Sequence, residues 1–407
     1  MTAAAEPRRA GLSLSSAGPA LAGLVVFLAS CPLLFRNGSA DGDIPVFHRY
    51  GDFIVSGQIP YRDFHTEYPP GAQLIFLIPS LWPDGDYLGV FRVLATLGIV
   101  LEIVLVALLV DRLAWPPVQR YAATVFAALG PVMLGAFALR RFDMWPTAIA
   151  IAVLLCLVAR RPRLAFALLA IGSIVKVFPI ILLPVALLAV PRAVRIRALA
   201  LFVAIGVVVM GPFAIVGHAN LYNSIFGQAD RHLHLDALGS SVLLVLHTHV
   251  RLAFDGGGWS DFGGGSAPVA SLQSLLQVLG IVVAASLFWR SRRTNHDLVL
   301  AVVTTLTAGA FLGKVLSPQF LLWVAPIVLL ARSATAVVCF VGAALTTNLL
   351  FPDRYAGLLD LHDGPIWLLF VRNAFLVATL VALFAAQVRA SQRPLIPFRW
   401  NSQARLM

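Results

Sequence analysis

Apolar runs of roughly 15–25 residues, separated by short polar or proline-marked breaks, recur along the whole chain. Such runs predict membrane helices, because only a helix or a closed barrel satisfies its own backbone polar groups in lipid. Spans are expected at 17–35, 86–110, 121–139, 143–159, 164–175, 177–190, 198–217, 270–289, 298–312, 319–331, 333–350 and 366–387. The stretch "GAQLIFLIPSLWP", residues 71–83, is too short to cross a core of about 30 Å. Counting it as a span would invert every later loop, so it is expected as a helix lying in the outer leaflet. The fold class expected is therefore all-α and polytopic, with about 12 transmembrane helices. One catalytic unit, 17–387, carries outer loops 36–85, 218–269 and 351–365 between a cytoplasmic tail (1–16) and a basic cytoplasmic tail (388–407).

Composition agrees with a membrane protein: 59% of residues are hydrophobic and only 12% charged, against roughly 25% in soluble domains. The +11 net charge suggests nucleic acid until its placement is considered. Arg112, Arg120, Arg160, Arg161, Arg163, Arg192, Arg195, Arg197, Arg290, Arg292 and Arg293 fall in short loops on one side, which is the positive-inside pattern. On the same layout 15 of the 19 Asp and Glu residues lie on the opposite, outer side. No nucleic-acid partner is expected. Cys31, Cys156 and Cys339 sit in apolar runs and suggest no disulfide framework. "LASC" at 28–31 resembles a lipoprotein processing box, but the apolar run continues past it, so it is read as part of a first span.

Only two lysines stand among 28 arginines, and neither lies in a basic loop. Lys176 is in "IGSIVKVFPIILLP" and Lys314 in "FLGKVLSPQFLLW". Helical rise from Arg163 to Lys176 is about 20 Å, and from Lys176 to Arg192 about 24 Å, so this hairpin turns below the outer surface. Lys314 turns at a shallower depth. An ammonium there needs an anionic partner. Either each lysine pairs with a structural carboxylate or snorkels, or both face an outward cavity and bind a phosphate, for which a lipid-linked phosphate is suited.

The polar segment "DGDIPVFHRYGDFIVSGQIPYRDFHTEYPPGAQ" follows the first span. Such a loop is commonly only solvated. Beside two buried cations, however, Asp43 or Asp41 can act as general base toward a sugar hydroxyl while the lysines receive a phosphate leaving group. "RRFDMWP" (Arg140, Arg141, Asp143) is either a loop-capping Arg–Asp pair or a further phosphate or acceptor contact. "QADRHLHLDALGSS" (Arg231, His232) is either a charged loop or a donor or acceptor contact. Its His-x-His lacks further ligands at metal spacing, so no metal is expected. The glycines of "FDGGGWSDFGGGS" read as mobility. Glu102 falls mid-span and is expected to face protein.

The segment from Asp43 through Tyr68-Pro69-Pro70-Gly71-Ala72 resembles the first outer loop of GT-C membrane glycosyltransferases, in particular the polyprenol-phosphate-mannose-dependent enzymes of glycosyltransferase family 87. "KVFPIILLP" and "SPQFLLWVAP" resemble later helix starts of that family. The resemblance implies a GT-C-like arrangement and an inverting transferase working at the outer face of the cell membrane in envelope biosynthesis. It implies a polyprenyl-phosphate sugar as donor, mannose as the sugar transferred, and a lipid or glycan acceptor, with no cofactor. Asp43 matches the base position and Asp41 is the reserve; Lys176, Lys314, Arg140, Arg141 and Arg231 are the phosphate candidates. Asp63, Glu67, Tyr68, Asp143 and His232 are the acceptor or sugar candidates. Phe47 stands where the family usually has tyrosine, which weakens any sugar contact there. The rival expectation is a transporter or flippase for an anionic or lipid-linked substrate, using the lysines as midway binding groups. A third is a non-catalytic assembly partner.

Overall fold

A computed structural model describes residues 14–35, 42–82 and 85–392. Asp41, the reserve base, and the arginines beyond residue 392 lie outside the described residues. The chain forms α1 (Leu14–Ser30), α2 (Ile44–Val55), α3 (Pro70–Ser80), α4 (Tyr87–Arg112), α5 (Pro117–Leu134), α6 (Met144–Val158), α7 (Pro162–Val175) and α8 (Leu183–Ala189). There follow α9 (Arg192–Phe226), α10 (Leu238–Val245), α11 (Ser266–Arg290), α12 (Asn295–Phe311), α13 (Leu321–Val324), α14 (Ala334–Leu350), α15 (Tyr355–Leu359) and α16 (Asp363–Ser391). Five described helices are long and apolar enough to cross a membrane: Ser15–Leu34, α4, α9, α11 and α16. The other apolar helices are shorter, so length by itself supports five crossings where the sequence suggested about 12.

Packing decides which apolar face turns inward. On α4 the stripe Phe91, Ala95, Ile99, Ile103, Val106 and Val110 is buried, while Val93, Leu97 and Leu101 face outward. Both faces are apolar, as expected of a helix with protein on one side and lipid on the other. Residues Asp297 to Phe311 of α12 are all buried, which makes this helix the centre of the bundle. Its first turn is closed by a capping box, Thr294 with Asp297.

Two expected spans are broken. Residues 319–331 form the short α13 between 3-10 turns at Pro318–Phe320 and Val328–Ala331. Pro318 and Pro326 each lack a donor and obstruct a regular helix. The segment is nearly all buried, so its irregular backbone is covered by protein rather than lipid. Residues 177–190 likewise divide into a 3-10 turn, Phe178–Leu182, and α8, with Pro179 and Pro184 at the starts.

The long loop between α1 and α4 holds two helices. Short helices were expected in this loop; α3 is the one expected at 71–83, and α2 is a second whose bounds the sequence did not predict. Buried Ile44, Phe47, Tyr50 and Gly51 form the inner face of α2. Phe47 is stacked on Phe76 at 4.4 Å and makes edge contacts with Tyr68 and Phe142. At 0% exposure the position is aromatic core, not sugar-contacting surface.

The loop after α9 adds a small sheet to an otherwise helical chain. It contains a three-stranded antiparallel sheet of β1 (Leu233–His234), β2 (Leu252–Asp255) and β3 (Gly258–Asp261), in the order β1-β3-β2. Gly256 and Gly257 of the glycine-rich stretch read as mobile form the turn of a hairpin. A buried pair fastens this loop to the bundle: Arg372 of α16 donates to Asp236 at 3.0 Å, with both side chains 1% exposed.

Candidate functional site

Asp43 stands at the start of α2, where its carbonyl accepts the amides of Val46 and Phe47 and Pro45 fits the first turn. Its carboxylate lies 2.9 Å from the guanidinium of Arg141. Gly42, at φ +59°, lets the backbone pass beside that guanidinium; a Cβ there would come within 3.0 Å of Nη1. The ion pair lacks hydrogen-bond geometry, and Arg141 Nε and Nη1 are buried without hydrogen-bond partners among the described residues. Arg141 therefore keeps donor capacity.

Two residues on, Asp143 begins α6 and is completely buried. Its Oδ1 accepts from Lys176 Nζ at 2.6 Å and from Trp323 Nε1 at 2.6 Å. Lys176 reaches it because α7 ends at Val175 and the next residue is extended. The ammonium also sits 4.7 Å from the Phe142 ring centroid. Trp323 is held between Phe178 and Phe320, stacked at 3.9 and 4.1 Å. Of the two readings of Lys176, the carboxylate pair is present in this structure. Asp143, expected among acceptor contacts, is enclosed, with Oδ1 engaged by Lys176 and Trp323 and Oδ2 without a hydrogen-bond partner among the described residues.

Tyr68 connects these pairs. Its ring packs edge-on against Phe47, Phe76 and Phe142. Its phenol is pushed well above the ordinary tyrosine range, first by burial, then by the carboxylates of Asp43 and Glu67, with Arg141 opposing and Asp143 adding. The group is therefore a neutral hydrogen-bond donor in the field of four charged side chains. The neighbouring Glu67 accepts from Arg231 at 3.1 Å, joining the first loop to the loop after α9. Close by, Lys314 Nζ donates to the Ala229 carbonyl at 2.6 Å, and its own carbonyl accepts from His234 N at 2.9 Å. No carboxylate lies within 4.0 Å of that amine among the described residues, so its charge is not neutralised locally.

The cluster grades from closed to open. Asp143 is 0% and Lys176 13% exposed, whereas Asp43 is 33% and Glu67 34% exposed. Three cation–carboxylate pairs balance one another. Arg141, through its spare donors, and Lys314, through its unmatched charge, are the groups equipped to receive an anion. Asp43, 33% exposed, is the reachable carboxylate beside Arg141.

Other expected site residues fall elsewhere. Asp63 pairs with Arg62 at 2.8 Å and caps the Ile59 amide in an exposed turn. His232 meets Asp255 at 3.0 Å and packs on Phe262. Arg140 is buried at the end of the 3-10 turn Ala136–Arg140. Glu102 is buried with Oε1 lacking a hydrogen-bond partner, facing protein as expected. Sequence reasoning missed Trp323, a lone tryptophan in "QFLLWVAP" with no signal of a polar role, and the contact of the glycine hairpin with Glu67.

A family model, glycosyltransferase family 87, matches residues 64–318, more than half of the 407-residue chain. The match takes in Glu67, Tyr68, Arg141, Asp143, Lys176, Arg231 and Lys314, and begins after Asp43. No curated protein matches the chain.

Proposed function

The chain belongs to glycosyltransferase family 87 and is a membrane-embedded glycosyltransferase, and from that premise we propose that it moves mannose from a polyprenyl-phosphate donor to a lipid or glycan acceptor at the outer face of the cell membrane. The observation that carries this reading is the cluster around Tyr68: a reachable carboxylate, Asp43, beside cations set deeper among the helices.

In the proposed reaction Asp43 accepts the proton of an acceptor hydroxyl. The oxygen attacks the anomeric carbon from the side opposite the phosphate, the carbon–oxygen bond to phosphate breaks, and the bonding pair leaves with the polyprenyl phosphate. Configuration at that carbon inverts. The developing phosphate charge is met by Arg141 and Lys314, with the Lys176–Asp143 pair and Arg231 shaping the field, and by the neutral phenol of Tyr68 as donor. Arg141 suits a phosphate through its planar fork of donors. The buried end of the cluster lies among α6, α7 and α13, where a donor whose tail stays in lipid can deliver its head.

The test uses the full chain reconstituted in liposomes with radiolabelled polyprenyl-phosphate mannose and octyl mannoside as acceptor. Labelled disaccharide formed by the wild type and lost in Asp43→Asn supports the proposal. Transfer only from a glucose or arabinose donor corrects the sugar. Movement of intact donor across the bilayer without bond cleavage replaces the proposal by a transport function.

A further inference from the structure

The turn joining β2 to β3 lies directly on the open end of the cluster. Gly256 and Gly257 form it with φ of +56° and +80°. A Cβ at Gly256 would be 2.7 Å from Arg231 Nε, and one at Gly257 would be 2.8 Å from Glu67 Oε2. At Gly258 it would collide with the His234 imidazole. Backbone alone therefore rests on the Glu67–Arg231 pair; a side chain at either glycine is strained by the positive φ and has to displace the Arg231 or Glu67 end or lift the turn.

The attachment of this hairpin is uneven. At its inner side β3 pairs with β1 through Leu233–Asp261 and His234–Ser260, and Leu235 N donates to the Trp259 carbonyl at 2.8 Å. At its outer side β2 is an edge strand, and Phe254 is 66% exposed. Near the tip, the side-chain contacts are the part-exposed His232–Asp255 pair at 3.0 Å and an edge contact between Phe254 and Trp259, the latter packed against the apolar cluster beneath. A tip held this lightly over Glu67 can lift while β1 and β3 remain paired.

Resting on the transfer reaction proposed above, we infer that the Asp255–Gly258 turn positions Glu67 and Arg231 and sets which acceptors reach them. The donor's lipid tail requires approach from the helix side, where Lys176 and Asp143 are enclosed. The acceptor must use the open end, and that end is the one the turn covers. A seated turn holds the Glu67 carboxylate against Arg231 and limits the space beside Tyr68. Acceptor entry requires the tip to rise, and its return orders the pair around the acceptor hydroxyls.

Two measurements on the full chain test this. The first compares Gly256→Ala and Gly257→Ala with Gly264→Ala, a nearby loop glycine with open space around its Cβ position. With labelled polyprenyl-phosphate mannose and octyl mannoside, the two turn variants are expected to raise the acceptor KM about tenfold and leave the donor KM unchanged, because a Cβ displaces the turn from the pair. Gly264→Ala is expected to match wild type. The second attaches a nitroxide at Phe254→Cys in a chain with Cys31, Cys156 and Cys339 replaced by serine or alanine. Its spectrum is expected to become more mobile with Gly257→Ala, independently of any catalysis. A wild-type acceptor KM together with unchanged label mobility in the turn variants overturns the inference. Equal changes in both KM values also overturn it, since they indicate general distortion. If the wild type fails to use this donor, only the function proposed above falls; label mobility still decides whether the turn seats on the pair.

Discussion

Replacing Lys176 by methionine separates a structural role from a catalytic one. The substitution leaves Asp143 at 0% exposure with the Trp323 indole as its remaining donor among the described residues and Oδ2 without a hydrogen-bond partner. Removing one member of a buried pair typically costs about 3–5 kcal/mol, because the abandoned charge stays desolvated. Loss of the ammonium over Phe142 adds about 1 kcal/mol. The double variant Lys176→Met/Asp143→Leu removes both charges and is expected to recover about 2 kcal/mol or more of the single variant's loss. The Trp323 N–H then lacks its acceptor, which limits the recovery by about 1–3 kcal/mol. Transfer behaves differently if Lys176 contributes to the field at the departing phosphate. Both variants are then expected to lose about 100-fold in rate per folded molecule, equivalent to about 2.7 kcal/mol of transition-state stabilisation. Denaturant unfolding in bicelles, paired with single-turnover transfer on the same preparations, makes the comparison. A double variant that is stable and transfers at the wild-type rate refutes a catalytic role for Lys176 and leaves it as the structural partner of Asp143.

Asp43→Asn is expected to lower transfer by about 100-fold or more while changing stability by less than about 1 kcal/mol, since the Asp43–Arg141 pair is part-exposed; rate and unfolding midpoint measured together check this. Phe47→Tyr is expected to destabilise by about 1–3 kcal/mol, because its hydroxyl enters a closed aromatic cluster; chemical unfolding measures it. His234 has its pKa lowered from 6.5 by burial, opposed by Asp236 and assisted by Arg231 and Arg372. The folded state thus binds its proton less readily than the unfolded state. Its contribution to stability is complete above about pH 6.5 and diminishes as pH falls below that value. An unfolding midpoint that drops between pH 7.5 and 5.5 in wild type, and drops less in His234→Gln, is the expected result.

Much of this protein was legible from the sequence because lipid imposes a simple rule on composition. Long apolar runs had to become helices, and 71–83 was too short to span and indeed forms the short helix α3. The two lysines stood out as charges in apolar surroundings, and the Asp43–Pro70 segment carried enough pattern for the family to be suspected from residues alone. That same uniformity concealed the rest. Where every helix face is apolar, periodicity cannot say that α12 lies at the centre, or that 319–331 is an irregular buried segment. The partner of Lys176 lies 33 residues away and that of Asp143 at Trp323 lies 180 away. Only packing brings Arg231 onto Glu67 and the glycine turn onto both. Sequence set which groups are costly to bury; tertiary structure decided which opposite charge or ring relieves each cost, because such interactions act over a few ångströms of space and not along the chain.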